Sequence, residues 1–151
     1  MNVRAARSPD REAILALVPR ISEVGTPAHR TPDETRSADL RAMSESLASD
    51  SPDVAVLVAE DHGRIVGFVH LQTGLDYYSN RPIGHVADLA VDPAHEGRGI
   101  ARVLLAAAED WARARAYAWM DLNVAPGNER ARTLYERLGY AVEWTRYVKR
   151  L

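Results

Sequence analysis

The segment His95–Ala101, with the sequence HEGRGIA, joins an apolar run to a long helical pattern. Gly97 and Gly99 flank Arg98 and carry no Cβ atom, so the backbone at these two positions can approach a ligand closely. The first N–H groups of a helix have no partner within the helix, and the helix dipole favours an anion beside them. We therefore expect the N–H groups from Gly97 to Arg102 to hold a phosphate or diphosphate group, with Arg98 and Arg102 adding positive charge.

Two common phosphate-binding motifs do not match this segment. A Walker A loop closes with Gly-Lys-Ser/Thr, whereas the only lysine of this chain is Lys149. A dinucleotide-binding fingerprint requires Gly or Ala at its sixth position, which counted from Gly97 is Arg102. On this segment alone, a phosphate-binding loop and an ordinary glycine-containing turn both stay open.

The hydrophobic periodicity around the loop predicts the order of strands and helices that must position it. Two helix starts are marked by Ser8-Pro9 and Thr31-Pro32, where a capping residue precedes proline at the first helical position. A further helix starts at Ile100, and Gly139 is suited to the end of the last helix. The predicted strands are 2–6, 53–60, 64–73, 83–91, 118–124 and 140–151. This order predicts an α/β (α+β) fold, a mixed sheet with helices on both faces.

Composition limits the classes of function that need to be considered. The chain has 151 residues, which predicts one domain, and its formal net charge of −2 gives no reason to expect nucleic acid or a membrane as a partner. It has no cysteine, which excludes disulfides and thiolate metal sites. His29, His62, His70 and His95 do not have metal-ligand spacing, so we expect no metal. A signal-peptide core is absent from the sequence, so we expect a cytoplasmic protein.

Two segments, Val86–Arg102 and Leu122–Tyr140, together resemble the GNAT superfamily of N-acetyltransferases. That family carries a Gln/Arg-x-x-Gly-x-Gly/Ala loop after its fourth strand, and the corresponding loop here is Glu96–Ala101. The family then carries an Asn, an Ala and a Leu-Tyr shortly before Gly-Tyr or Gly-Phe. The matching residues are Asn128, Ala131, Leu134-Tyr135 and Gly139-Tyr140. Both motifs occur in the family's order, and the elements match over nearly the whole chain.

The resemblance implies one GNAT domain, residues 1–151, with a mostly antiparallel sheet whose fourth and fifth strands splay apart. It also implies direct transfer of an acetyl group from acetyl-CoA to a primary amine of a small molecule or peptide, in a ternary complex. The pantetheine arm of acetyl-CoA would lie between the splayed strands. The residues that the resemblance assigns to acetyl-CoA are Leu89, Ala90, Val91, Gly97, Arg98, Gly99, Ile100, Ala101, Arg102, Asn123, Asn128, Ala131 and Tyr135. Asn128 is equally suited to the N-cap of the last helix.

Glu96 departs from the family pattern, which has Gln or Arg at this position. A carboxylate repels a diphosphate, so we expect the Glu96 side chain to turn away while the loop amides bind. The departure also leaves an alternative function open, a non-catalytic acyl-CoA-binding or regulatory module on the same fold.

The resemblance also points to residues for proton transfer. An amine attacks only when it is neutral, so a general base is expected, either Asp88, His85 or a water relay through one of them. Strict strand alternation places Asp88 on one face with Val86 and Ala90, and His85 on the other. Tyr135 matches the family's Leu-Tyr and would protonate the departing CoA thiolate, although its position on an apolar helix face also fits a packing residue.

The acceptor amine is the least defined part of this prediction. In the family its wall comes from the first two helices and the loop before the fourth strand, here Ser22–Ser37 and Gly74–Pro82. Asp76, Tyr77 and Tyr78 in that loop would suit a cationic amine through charge and cation–π contacts. Small amines, polyamines, amino-acid derivatives, aminoglycosides and peptide N-termini all stay open. A homodimer through the final strand or the RYVKRL tail is expected from the habit of the family alone.

Overall fold

The computed structural model describes all 151 residues and contains one sheet of five strands in the order β1-β2-β3-β4-β5. The strands are β1 (Asn2–Ala5), β2 (Val54–Asp61), β3 (Arg64–Leu75), β4 (Pro82–Val91) and β5 (Met120–Leu122). The helices are α1 (Arg11–Leu17), α2 (Pro19–Ser22), α3 (Pro32–Leu47), α4 (Ile100–Arg113) and α5 (Glu129–Arg137). Adjacent strands pair antiparallel from β1 to β4, and β4 pairs with β5 in parallel. The predicted mixed, mostly antiparallel sheet is confirmed.

Each face of the sheet carries its own hydrophobic core. On one face, α4 packs residues such as Leu104 against Val69 of β3. On the other face, α1 and α3 pack Ile14 and Met43 against Phe68 of β3. Fully burying an apolar side chain of this size contributes about 1.5–3 kcal/mol. The prediction of helices on both faces is therefore confirmed.

The pairing between β4 and β5 is short and ends in the middle of β4. It joins Gly84–Val86 to Met120–Leu122. From Ala87 to Val91, β4 continues beside β3 but has no strand partner on its other edge. The predicted splay between the fourth and fifth strands is confirmed by this change in pairing.

A β-bulge at Ala87 changes which side chains of β4 share a face. His70 lies opposite Asp88 and Leu71 lies opposite Val86, which leaves Ala87 without a partner on β3. Before the bulge, the side chain of Val86 belongs to the core with α4. Beyond it, Leu89 and Val91 pack on that core, whereas Ala90 belongs to the opposite core with α1 and α3. The expectation of strict alternation was wrong because the extra residue reverses the pattern. Val86 and Ala90 lie on opposite faces, and Asp88 and His85 share the face of α1 and α3.

The amino-terminal helix differs from the prediction in how it starts and in its continuity. The segment Ser8–Asp10 is a short 3₁₀ turn, and its N-cap is Arg7 rather than Ser8. Arg7 N–H donates to the Asp10 carboxylate at 2.7 Å, and Asp10 N–H donates to the Arg7 carbonyl at 2.9 Å, so the turn closes on Arg7. The helical path then divides into α1 and α2 at Pro19, because a proline nitrogen has no hydrogen to donate to the preceding turn.

The boundaries predicted for the other helices agree with the structure. Thr31 Oγ1 accepts a hydrogen bond from Glu34 N–H at 3.2 Å, and the Glu34 carboxylate accepts one from Thr31 N–H at 2.7 Å. Gly139 follows α5 with φ of +91°, and the N–H of Tyr140 donates to the Tyr135 carbonyl at 3.0 Å. This is the Schellman arrangement that glycine favours at a helix end. No helix of the protein has the length and apolar character needed to span a bilayer.

The strand predicted over residues 140–151 is wrong. This tail has no regular secondary structure, and its apolar residues Val142, Trp144 and Tyr147 are exposed. A period-two pattern indicates β propensity, but a strand forms only where a neighbouring edge supplies hydrogen bonds. Within this chain, no strand pairs with the tail.

An ion pair with little exposure joins β1 to the segment before α1. Arg4 Nη1 and Nη2 donate to the two carboxylate oxygens of Asp10 at 2.6 and 2.9 Å. Arg4 Nε also donates to Glu60 of β2 at 2.7 Å. The hydrogen bonds from Arg4 hold the pKa of Asp10 below its ordinary value, although burial opposes the shift.

We predict that Asp10→Asn lowers the melting temperature by roughly 5 °C at pH 7, because Arg4 keeps its charge without its bidentate partner. The pKa of Asp10 is depressed in the folded state, so its contribution is fully present above the unfolded-state pKa of about 3.9. It is lost as the pH falls through the lower folded-state pKa, so parent and variant should converge in acid. Asp110→Asn is the control, since Asp110 forms an exposed pair with Arg113 and should melt at the parent temperature. A constant gap between parent and Asp10→Asn down to pH 2 would contradict this account.

Candidate active site

The glycine loop between β4 and α4 presents unpaired backbone donors to solvent. Gly97 and Gly99 both have φ of +77°, in the left-handed region that favours glycine. A Cβ atom built at either position would meet no other atom within 4 Å, so the space beside the loop is open. No side chain caps α4, and no backbone hydrogen bond uses the N–H groups from Gly97 to Arg102. These groups, at the positive end of the α4 dipole, are free to bind an anion.

Glu96 turns toward two arginines carried by other helices. Its Oε1 accepts a hydrogen bond from Arg20 Nη2 of α2 at 2.6 Å, and its Oε2 accepts one from Arg130 Nη1 of α5. The hydrogen bond from Arg130 is the largest influence, and together with Arg20 it lowers the pKa of the Glu96 carboxyl group despite partial burial. The carboxylate therefore does not stand as an isolated negative charge beside the anion-binding donors.

The residues expected to hold the pantetheine arm come from the unpaired part of β4, the end of β5 and the start of α5. Leu89–Val91 lie in this part of β4, beyond the last residue that pairs with β5. Asn123 follows β5 and is exposed. Asn128 is the N-cap of α5, and its Oδ1 accepts a hydrogen bond from Ala131 N–H at 3.2 Å. The local capping role predicted for Asn128 is confirmed, and its side-chain amide nitrogen keeps its donors.

Tyr135 of α5 packs against the core on the α4 side of the sheet. Its ring centroid lies 5.9 Å from that of Tyr140, with the rings tilted by 59°. Burial raises the pKa of Tyr135, and no hydrogen bond or neighbouring charge adds to that shift. Tyr135 is therefore a protonated phenol at neutral pH whose hydroxyl is not engaged by another side chain. This state fits both a packing residue and a proton donor.

Two histidine–aspartate pairs lie on the sheet face that carries α1 and α3. His70 Nδ1 lies 2.8 Å from Asp88 Oδ2, and His85 Nδ1 lies 2.7 Å from Asp121 Oδ1. Strand register creates both pairs, since His70 is opposite Asp88 on β3 and β4, and His85 is opposite Asp121 on β4 and β5. The side chains of His70 and Asp88 are only 1% and 15% exposed, whereas the second pair is more accessible.

Asp39 of α3 lies over this polar row. Ser22 Oγ donates to Asp39 Oδ2 at 2.8 Å. Burial raises the pKa of Asp39, the negative charge of Asp88 raises it further, and the hydrogen bond from Ser22 opposes both effects. Asp39 and Asp88 are therefore close enough to interact electrostatically across the space between α3 and the sheet. A surface cleft beside Asp39 is lined by Pro27, Arg30, Glu34, Thr35 and Ala38.

The loop before β4 engages its acidic residue within its own turn. Asp76 Oδ2 accepts hydrogen bonds from the backbone N–H and the hydroxyl of Ser79, and these bonds lower the pKa of Asp76. Tyr77 and Tyr78 are exposed and meet edge to face, and Tyr78 stacks on Trp144 of the tail. Asp76 is thus primarily a turn-forming residue, and the accessible part of this loop is aromatic.

Sequence patterns did not identify His70, Asp39 or Asp121 as site residues. His70 was considered only for metal-ligand spacing, and its partner Asp88 is distant in sequence. The register of β3 against β4, together with the bulge at Ala87, brings the two side chains together. A polar residue at a core position of an apolar strand was the available signal for His70. No three His, Cys, Asp or Glu side chains are grouped in a way that could hold a metal ion.

Comparison with known proteins gives one consistent family. The model of the acetyltransferase (GNAT) family matches residues 19–140. An uncharacterized N-acetyltransferase of Bacillus subtilis is 31% identical over 142 residues, which cover 93% of this chain and 89% of that protein.

Solved structures resemble the whole fold at lower sequence identity. A putative acetyl transferase from Pyrococcus furiosus aligns with a TM-score of 0.81 and 22% identity, covering 99% of both chains. An aminoglycoside N-acetyltransferase in complex with CoA aligns with a TM-score of 0.76 and 22% identity, covering 99% of this chain and 93% of that chain.

Proposed function

The chain belongs to the GNAT family of acetyltransferases and is an N-acetyltransferase, and we propose that it moves an acetyl group directly from acetyl-CoA to a primary amine while both are bound. The proposal rests on one arrangement. The free N–H groups before α4 lie at one end of β4, and the unpaired stretch of that strand runs from them to the His70–Asp88 pair. Such an arrangement suits a long ligand with an anionic end and a reactive end.

In this proposal the glycine loop binds the diphosphate of acetyl-CoA. The N–H groups from Gly97 to Arg102 donate to it, including those of Ile100 and Ala101, and the exposed Arg98 and Arg102 add charge. The CoA complex of the aminoglycoside N-acetyltransferase with the same fold supports acetyl-CoA as the co-substrate. The alternative of a non-catalytic module rested on Glu96, and the ion pairs to Arg20 and Arg130 remove the repulsion that motivated it.

The pantetheine arm is proposed to lie along the unpaired edge of β4. The backbone of Leu89, Ala90 and Val91 has no strand partner on that side, and an amide-containing arm can supply the missing hydrogen bonds. Asn123 after β5, the free amide nitrogen of Asn128, and Ala131 in the first turn of α5 are proposed to contact the arm from the other side of the splay. A backbone N–H of this segment would polarise the thioester carbonyl.

Asp88 is the proposed general base. Only its Oδ2 is engaged by His70, so Oδ1 can accept a proton from the acceptor ammonium. The resulting neutral amine attacks the thioester carbon, the new C–N bond forms, and the C–S bond breaks. The thiolate takes a proton from the Tyr135 hydroxyl, and the second proton released by the nitrogen returns to Tyr135 through solvent. The products are the N-acetyl amine, CoA with a free thiol, and one proton, which Asp88 releases to solvent.

The acceptor is proposed to be cationic, because carboxylates of α3, β4 and β5 share the sheet face on which it would bind. These are Asp39, Asp88 and Asp121. The amine can belong to a small molecule or to a peptide. A cytoplasmic location and a homodimer through the tail stay predictions, and for the dimer the test is sedimentation, in which a monomer at micromolar concentration would refute it.

The central test is release of the CoA thiol from acetyl-CoA in the presence of single amines, namely ethanolamine, spermidine, alanine amide, kanamycin and a peptide with a free N-terminus. We expect turnover with at least one of them.

Gly99→Val tests the glycine loop. It should raise the KM for acetyl-CoA strongly, because the branched side chain enters the open space above the loop. Gly63→Val is the matched control, since Gly63 has φ of +76° in equally open space but belongs to the turn between β2 and β3 rather than to the loop before α4. Stabilisation by CoA without turnover of any amine would instead support a binding module, and equal KM values in the two variants would reduce the loop to an ordinary turn.

Asp88→Asn and His85→Gln separate the two candidate bases. We expect Asp88→Asn to lose about 10²–10⁴-fold in turnover at neutral pH, and the loss should shrink at high pH as free amine becomes available. His85→Gln should lose much less, because His85 lies in the part of β4 that pairs with β5, outside the unpaired stretch proposed to hold the arm. The measurement is the pH profile of kcat/KM for one amine. The opposite ranking would make His85 the base, and unchanged profiles in both variants would place deprotonation in bulk water.

Tyr135→Phe removes a proton donor and keeps the packed ring. We expect near-parent binding of acetyl-CoA and turnover reduced about 10–10³-fold, because the thiolate leaves without a phenol beside it. Tyr140→Phe is the matched control. Burial raises the pKa of Tyr140 to about 12, and its hydroxyl contacts only Met120 Sδ at 3.8 Å, so turnover should stay at the parent level. Parent turnover by Tyr135→Phe, with chemistry rate-limiting, would show that Tyr135 only packs.

A further inference from the structure

We propose that His70 is a positioning residue for acetyl transfer, which donates from Nδ1 to Asp88 and directs the free carboxylate oxygen toward the acceptor amine. The inference rests on the proposed role of Asp88 as the base. It concerns a residue that lies on a different strand and that no sequence motif marks.

The burial of His70 needs a physical reason. Its side chain is enclosed beside Phe68 in the core beneath α1 and α3, and apart from Asp10 it is the one polar residue among the buried set. An imidazole placed among apolar groups costs free energy unless its nitrogens are hydrogen-bonded. The burial of Asp10 is accounted for by its hydrogen bonds from Arg4. The burial of His70 must be accounted for by its own hydrogen-bond partners.

Both ring nitrogens of His70 have partners, and the partner of Nδ1 is a carboxylate. Gln72 Nε2 lies 3.5 Å from His70 Nε2, and an amide nitrogen can only donate. His70 Nδ1 lies 2.8 Å from Asp88 Oδ2, and because a carboxylate only accepts, Nδ1 is the donor in this hydrogen bond. The result is a directed chain of hydrogen bonds from Gln72 through His70 to Asp88.

The chain of hydrogen bonds leaves the Asp88 carboxylate with one fixed and one free oxygen. Oδ2 accepts from His70, and Oδ1 has no hydrogen bond within the protein. Asp88 lies directly after the bulge residue Ala87, where regular pairing alone does not define the direction of a side chain. Rotation of the carboxylate would move Oδ1 away from the amine, and His70 prevents that rotation.

Other groups around the pair do not replace this function. The ionisable group that faces Asp88 from α3 is Asp39, which already accepts a hydrogen bond from Ser22 and has no donor to offer when ionised. His85 on the same face is bonded to Asp121 of β5. His70 is thus the one side chain that donates a hydrogen bond to Asp88.

Two amide substitutions test the proposal with nearly equal change in polarity. In His70→Asn the new amide nitrogen occupies the position of Nδ1, so it can still donate to Asp88. In His70→Gln the new amide nitrogen occupies the position of Nε2, so the hydrogen bond to Asp88 is lost. With the best amine of the panel above, we expect His70→Asn to stay within about threefold of the parent kcat and His70→Gln to lose about 10–100-fold. The KM for acetyl-CoA should stay unchanged in both variants, because His70 lies on β3 and is not among the residues proposed to bind acetyl-CoA. Equal kcat values for the two variants would overturn the proposal.

A double-mutant cycle with Asp88→Asn distinguishes positioning from a general structural role. If His70 acts through Asp88, adding His70→Gln to Asp88→Asn should cause no further loss of turnover. Losses that multiply would overturn the proposal and leave Asp88 as the base. Parent turnover by Asp88→Asn alone would remove Asp88 as the base and overturn this inference while leaving acetyl transfer in place. No turnover of any panel amine by the parent would overturn the proposed function itself. Thermal melting and CoA binding of each variant establish that it is folded, and the Asn and Gln comparison remains decisive if the double variant does not fold.

Discussion

The architecture of this protein depends on how little of β4 is hydrogen-bonded to β5. Pairing between them ends at Val86 and Leu122, while β4 runs on to Val91 and stays paired with β3. A strand edge inside a protein leaves backbone groups whose burial is costly unless a partner satisfies them. The gap therefore creates both a space and a row of unsatisfied donors and acceptors. The gap ends at the glycine loop, where the N–H groups before α4 are also unpaired and can bind an anion.

The bulge at Ala87 connects this backbone geometry to the side-chain chemistry. By reversing the alternation of β4, it leaves Val86, Leu89 and Val91 in the core beneath α4 and places Asp88 on the opposite face. One extra residue thus allows a single strand to support a hydrophobic core and a polar row. The polar row contains two histidine–aspartate pairs, and neighbouring strands contribute one member of each.

Charge links the helices on the two sides of the splay. Glu96 joins Arg20 of α2 to Arg130 of α5, and α5 also carries Asn128 and Tyr135. Surface ion pairs of this kind contribute little to stability, roughly 0–1 kcal/mol each. Their value here is geometric, since α2 borders the proposed acceptor side and α5 borders the proposed CoA side. Glu96, which departs from the family motif, therefore connects α2 and α5 through its two arginine partners.

The sequence by itself determined the family, the order of the elements, the glycine loop and the capping residues Thr31, Asn128 and Gly139. These features depend on local backbone preferences and on short-range periodicity, which a single chain displays directly. It did not determine the bulge at Ala87 or the unpaired tail, because both depend on which strand edge meets which. The proximity of His70 and Asp88, of His85 and Asp121, and of Glu96 and its two arginines was decided only by the tertiary structure. Residues distant in the chain meet through strand register and helix packing, and neither leaves a periodic mark in the sequence.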